Sequence, residues 1–263
     1  MHYYKCKIQY DGTSYAGFQW QTGIVTVQGD INNALTKILP GKVSTVAASR
    51  TDTGVHALDQ TLKITCEKII EECSFLELFN KTLPDQIRCK SIQECDGLFR
   101  PSAEARSKEY RYFFTNKKKI NPEEHRFIAN ISNELNIEKM QMCIQALLGE
   151  HNFCNFYSHG SNVKSTIRHI TACELNLTNP QDIFSDGDLF QIPSSLICCY
   201  QLRVESKGFL KQMIRHIVSA LWMVGSEKIT VEEFINLLNS PKSEKQLWKV
   251  APANGLFLYK VSF

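Results

Sequence analysis

The sequence predicts an α+β fold, two similar halves whose helices pack on a shared, mainly antiparallel sheet. Three observations carry this. The first hundred residues read strand, helix, strand, strand, helix, strand by their apolar periodicity. The remainder repeats that theme more loosely, with no short internal period of the kind a solenoid needs. Finally, 263 residues with 43% hydrophobic and 22% charged side chains can bury a large core, or two half-sized ones, without disulfide or metal staples.

Taken in order, Tyr4, Cys6, Ile8 and Tyr10 alternate with Lys5, Lys7 and Gln9, the mark of a half-buried strand that Asp11-Gly12 ends. Val27, Ile31, Ala34, Leu35, Ile38 and Leu39 line one helical face closed by Pro40-Gly41. Strands over Val43–Ala48 and Leu58–Thr65 flank a polar loop; a helix over Ile69–Asn80 and a strand over Ile87–Gln93 follow. Later, Tyr110–Phe114 is an aromatic strand and the lysine-rich stretch Asn116–Asn121 a linker. Ile137, Met140, Ile144, Leu147 and Leu148 share a helical face that stops at Gly149. Strands over Arg168–Leu177 and Leu196–Glu205 enclose Thr178–Gln191, whose Asn, Asp, Gly and Ser content marks an insertion loop. A helix over Leu210–Val224 turns Leu210, Met213, Ile214, Ile217, Val218 and Leu221 inward. A shorter helix, Val231–Leu238, and a closing strand, Leu256–Val261, complete the chain. The halves divide as residues 1–104 and 105–263.

A formal charge of +3 excludes a highly basic tail-type binder, while clustered Lys and Arg remain compatible with nucleic acid. The start MHYYKCKIQY lacks a signal-peptide core, and no apolar run reaches the roughly 18–20 residues of a spanning helix. A soluble, cytoplasmic protein is therefore expected. The ten cysteines contain no C-x-x-C pair, and His151, Cys154 and His159 form at best one ligand pair where zinc sites show two. They read as reduced, small apolar side chains, with no metal expected.

The chemistry concentrates in Ala48-Ser-Arg-Thr-Asp-Thr-Gly-Val-His-Ala57, which sets Arg50, Asp52 and His56 beside a glycine. A cation two residues away can hold Asp52 ionised, lowering its pKa by roughly 1–3 units. An ionised aspartate serves as nucleophile, base or stabiliser of positive charge at a sugar carbon. A structural Asp–Arg pair reads the same way. Asp52-Thr53-Gly54 is also the aspartic-protease tripeptide, but that chemistry needs two such aspartates sharing a proton, and Arg50 opposes it.

Ser49-Arg-Thr-Asp-Thr-Gly-Val-His-Ala57 resembles the G-R-T-D-x-G-V-H-A motif of the TruA-type tRNA pseudouridine synthases. Tyr10-Asp-Gly-Thr-Ser-Tyr-Ala-Gly-Phe-Gln19 resembles that family's opening Y-D-G-x-x-Y-x-G-[WF]-Q, and Val27-Gln28 its S-V-Q segment. Lys108-Glu-Tyr-Arg-Tyr112 resembles K-x-Y-x-Y, Gly149-Glu-His-Asn-Phe153 resembles G-x-H-[DN]-F, and Phe209–His216 resembles F-[LV]-x-x-M-[VI]-R-[NH]. Ala253–Leu258 resembles A-x-G-L-x-L, so ordered motifs run from Tyr10 to Leu258.

The resemblance implies a pseudouridine synthase fold: two ferredoxin-like or RRM-like halves joined in one mixed, mainly antiparallel sheet with helices on one side. It implies conversion of uridine to pseudouridine on the 3′ side of the tRNA anticodon stem-loop, without cofactor or metal, by a homodimer gripping tRNA between its subunits. Asp52 matches the nucleophile, Tyr110 the base-stacking tyrosine that aids proton removal, and Arg50 and Arg215 the arginines that flip and hold the nucleotide. The active cleft is expected between the halves, Asp52 coming from the first and Tyr110 and Arg215 from the second.

The chemistry of the residues agrees with these roles. Breaking a glycosidic bond builds positive charge on the sugar, which an anionic Asp52 suits whether it adds to C1′ or abstracts a sugar proton. Stacking on Tyr110 is worth about 1–3 kcal/mol per base, and extruding the nucleotide costs a few kcal/mol that nearby cations offset. Lys211, one turn before Arg215, is expected to point the same way. Tyr112 alternates with Tyr110 on one strand face and is a second candidate for substrate contact. Phe153 and Phe156 read as core; Phe18 and Trp20 as core or rim; Lys117, Lys118 and Lys119 as a solvated loop. His56 is a candidate for orienting the loop. Three departures from the family pattern stand out: Ser49 and Ser219 where glycine is usual, and Phe99-Arg-Pro-Ser102 for F-H-A-R. A binding-only RNA chaperone on the same fold is the alternative reading. The aspartate favours the enzyme, because pure binding needs no carboxylate facing phosphates.

Overall fold

The computed structural model describes residues 1–158, 160, 163–179, 184, 188–190, 198–243 and 248–263. It is α+β, with one mixed, mainly antiparallel ten-stranded sheet and seven helices among those residues. The elements run β1 (His2–Tyr10), α1 (Val27–Ile38), β2 (Ser44–Ala47), β3 (His56–Cys66), α2 (Glu72–Thr82), β4 (Ile87–Glu94) and α3 (Pro101–Glu104). Next come β5 (Ser107–Thr115), α4 (Pro122–His125), β6 (Ala129–Asn130), α5 (Ile137–Ala146), β7 (Gly149–Asn152) and β8 (Ile167–Thr178). Last are β9 (Cys199–Ser206), α6 (Met213–Gly225), α7 (Val231–Asn239) and β10 (Leu256–Ser262).

Two compact units emerge from the contacts. One comprises Met1–Arg106, Phe184–Gln191 and Phe257–Phe263, the other Ser107–Ile183 and Ile192–Leu256. In the first, β1 lies antiparallel between β3 and β4, with Tyr4 opposite both Ile64 and Glu94. β2 adds to β3, and β10 runs parallel to β3 through the pair Phe257 and His56. That parallel pairing draws most of the closing strand into the first unit, although the sequence reading groups it with the second half. Tyr4, Cys6, Ile8 and Tyr10 are buried, as the alternation requires. α1 buries Val27, Ile31, Ala34 and Leu35, and its N-terminus is capped by Thr26, whose hydroxyl accepts from the Gly29 amide at 3.2 Å. The second helix begins later than its sequence pattern, because the Glu71 carboxylate accepts from the Cys73 and Ser74 amides and leaves Ile69 outside, 70% exposed.

Gln9 departs from simple alternation: it is fully buried on the polar face of β1. Its amide donates to Asp188 Oδ1 at 2.6 Å, and its Oε1 accepts from Leu189 N at 3.2 Å. Phe184 and Phe190 pack with Phe257, ring centroids 5.5 and 5.2 Å away. Part of the expected insertion loop thus covers the first unit. Thr178, the expected start of that loop, still belongs to β8; residues 180–183, 185–187 and 191, and the predicted strand start at Leu196, lie outside the described residues.

In the second unit the strand order is β5-β9-β8-β7, with β6 beside β5. Tyr112 faces Leu202, which faces Leu175; all three are buried, and so are Phe114 and Val204. The opposite face carries alternating ion pairs. Glu109 accepts from Arg111 at 2.7 Å and from Arg203 at 3.2 Å; Arg203 reaches Glu174 and Glu205 at 2.8 Å each. α5 packs on α6, α7 and β8, and α6 also contacts β5. Phe153 and Phe156 are core residues, both at 0% exposure, packed with Phe234 and Trp248.

Candidate active site

The loop that carries Asp52 is held by its backbone. The amide and carbonyl of Ser49 are both bound by the side chain of the buried Gln60, at 3.1 and 2.7 Å. Thr51 is buried; its hydroxyl meets Tyr10 Oη at 2.7 Å and its carbonyl accepts from Phe18 N at 3.0 Å. The Asp52 carbonyl accepts from Val55 N at 3.1 Å, and Gly54 N donates to Tyr15 O at 3.2 Å. Asp52 itself is half-exposed between these anchors. The opening motif, Tyr10 to Gln19, is therefore the brace of the Asp52 loop. Its glycines explain the close approach: a Cβ at Gly12 would overlap the Val55 carbonyl, and one at Gly17 (φ +101°) would lie 2.9 Å from Thr51 O. Ser49 needs no glycine, since its φ is not positive and both its backbone polar groups are satisfied.

His56 closes the loop and is fully buried, stacked on Phe257 at 4.6 Å between centroids. Its Nδ1 lies 3.1 Å from both Asp11 Oδ1 and Gly12 N. Burial pushes the Asp11 carboxyl up, but His56 and the Thr13 hydroxyl and amide outweigh it and hold the group well below the usual carboxylate range. Asp11 is a second carboxylate beside the loop that sequence reasoning passed over. Its position directly after the predicted β1 was the available signal. Arg50 is exposed, on a loop that is secured by its main chain.

In the second unit Tyr110, only 7% exposed, packs edge-on against Phe209 at 5.2 Å. Arg215 on α6 donates through Nε to Ala251 O at 2.6 Å, which fixes the direction of its guanidinium. Two expectations fail. Tyr112 is not a substrate contact: it has 0% exposure, its hydroxyl donates to Pro252 O at 2.8 Å, and it packs edge-on against Trp222. Burial drives its phenol far above the ordinary value, with Arg215 only partly opposing. Lys211 is not on the helical face of Arg215. It precedes α6, cut off by Gln212 in the left-handed conformation (φ +58°), and is exposed. Phe209, Ser158, Gln212 and His216 were not singled out from sequence, though Phe209 opens the helix motif. Ser219, where glycine is usual, is accommodated by its hydroxyl donating to Lys249 O at 2.7 Å.

His151 Nε2 meets Leu148 O at 2.8 Å, and the buried Cys154 thiol donates to Ser240 O. His159 lies outside the described residues. All ten cysteines are free thiols, seven of them buried, and burial raises the thiols of Cys143, Cys173 and Cys199 to about 12. No helix among the described residues is long and apolar enough to cross a membrane.

A family model described as tRNA pseudouridine synthase matches residues 7–102 and 143–263. A tRNA pseudouridine synthase A of Fervidobacterium nodosum is 35% identical over 259 residues, 98% of each chain. One from Thermoanaerobacter sp. (strain X514) is 33% identical over 256 residues, 97% of each. A tRNA pseudouridine synthase A 2 of Bacillus cereus is 30% identical over 264 residues, the full length of both. The chain belongs to the tRNA pseudouridine synthase family.

Proposed function

We propose that this chain isomerises uridine to pseudouridine in tRNA, on the 3′ side of the anticodon stem-loop, with Asp52 as nucleophile. The observation that carries the reading is the Asp52 loop: a half-exposed carboxylate on a backbone anchored at Ser49, Thr51, Gly54 and Val55, in a chain of this family.

In this reading Asp52 acts on an extruded uridine, with Tyr110 and Arg215 as further contacts to that nucleotide. Asp52 either adds to C1′ or takes a sugar proton, and the N1–C1′ bond pair leaves with uracil. The base turns in place and C5 bonds to C1′ as the Asp52–C1′ bond breaks or, in the other route, as the sugar regains its proton from Asp52; the C5 proton then departs with help from Tyr110 and N1 gains a proton, so the net change is an isomerisation. Tyr110, held edge-on by Phe209, presents a ring for stacking. Arg215 and the exposed Arg50 hold phosphates of the flipped nucleotide. The reaction uses no cofactor or metal, and the chain works in the cytoplasm as a homodimer. The test is pseudouridine mapping on an unmodified tRNA incubated with the protein alone. Conversion on the 3′ side of the anticodon arm is expected; binding without conversion anywhere would leave only an RNA-binding module.

A further inference from the structure

The turn entering α6 holds a cluster that the roles above do not use. Gln212 is a non-glycine residue at φ +58°, a conformation that costs free energy and persists only where its surroundings impose it. Three contacts impose it. The Ser158 amide donates to Lys211 O at 3.0 Å, the Ser158 hydroxyl donates to Gln212 Oε1, and His216 N donates to Gln212 O at 3.0 Å. The same hydroxyl lies 2.9 Å from Nε2 of the buried His216. Having spent its one proton on Gln212, Ser158 Oγ accepts there, so His216 carries its proton on Nε2. The turn so fixed bears Phe209, packed against Tyr110, at one end and Arg215 at the other.

We propose that Ser158, Gln212 and His216 form a latch that positions Tyr110 and Arg215 for the isomerisation. It rests on the function proposed above and adds three positioning residues to it. The latch carries no charge, so it serves geometry rather than attraction for RNA. Misplacing reactive groups by about 1 Å costs up to about 10²-fold in rate. Opening the latch should therefore lower kcat while leaving the KM for tRNA, set by the wider phosphate contacts, within about twofold.

The test is single-turnover and steady-state pseudouridine formation with Ser158→Ala, Gln212→Gly, His216→Met and His216→Gln, each with its melting temperature. Gln212→Gly is the decisive variant, because glycine adopts the left-handed conformation without cost and so preserves the backbone while removing the side chain. Expected are roughly tenfold lower kcat for Ser158→Ala, Gln212→Gly and His216→Met, an unchanged or raised melting temperature for Gln212→Gly, and recovery in His216→Gln, whose amide nitrogen stands where Nε2 stood. Wild-type kcat in Gln212→Gly, or losses that follow melting temperature alone, would overturn the latch while leaving the proposed function intact. A wild-type protein that converts no uridine would instead remove the proposed function, and the latch with it.

Discussion

A carboxylate that attacks a sugar carbon must be ionised, reachable and unable to swing aside. Asp52 is half-exposed, and the chain beside it is fastened, Ser49 to Gln60 and Thr51 to Tyr10 and Phe18. At this scale Tyr112 separates packing from catalysis. Tyr112→Phe should remove one hydrogen bond to Pro252 O and cost about 1 kcal/mol in urea unfolding, with kcat per folded molecule unchanged; a specific fall in kcat would return Tyr112 to the site. The Asp52 loop was legible in sequence because its residues are contiguous and chemically unusual together. Tyr112 was not, since alternation assigns it a strand face without saying how deeply a later segment covers it.

Elements place these residues, and their ends mattered more than their middles. The apolar patterns located α1, α2, α5, α6 and α7 and the major strands, but Glu71 capping and the Gln212 turn lie outside any periodicity. At the junction of β1 and the Asp52 loop, Gly12→Ala places a methyl against the Val55 carbonyl. We expect it to cost about 2 kcal/mol or more in stability and to depress kcat, read by melting temperature and turnover together. In α6, His216 has its pKa pulled down to about 4, first by burial and then by the charge of Arg215, against an ordinary 6.5. The unfolded chain therefore binds a proton that the folded chain refuses. This effect is absent well above pH 6.5 and lowers stability as pH drops from 6.5 towards 4, by a total on the order of 3 kcal/mol. His216→Gln should flatten that part of the profile, seen as a smaller difference between urea unfolding at pH 7 and at pH 4.5.

Over the whole molecule, stability rests on buried aromatic and aliphatic side chains rather than on staples. Phe153→Ala, at a position with 0% exposure, should cost about 3–5 kcal/mol. Leu98→Ala, where exposure is 80%, should stay within about 0.5 kcal/mol. The α+β class was legible because each element announces its own period, whereas the mixed sheet entered only through the family resemblance. The covering of Gln9 by Asp188 and Leu189 was not, because contacts across about 180 residues leave no local trace.

If the carboxylate of Asp52 carries the chemistry, removing its charge should abolish conversion and leave binding intact. The most direct test is pseudouridine formation on unmodified tRNA by the wild-type protein and by Asp52→Asn, with tRNA affinity measured for both. Expected are conversion by the wild type, equal binding by the variant, and conversion by the variant reduced to background. A variant that binds and still converts uridine at a rate near the wild type would contradict that role of the carboxylate.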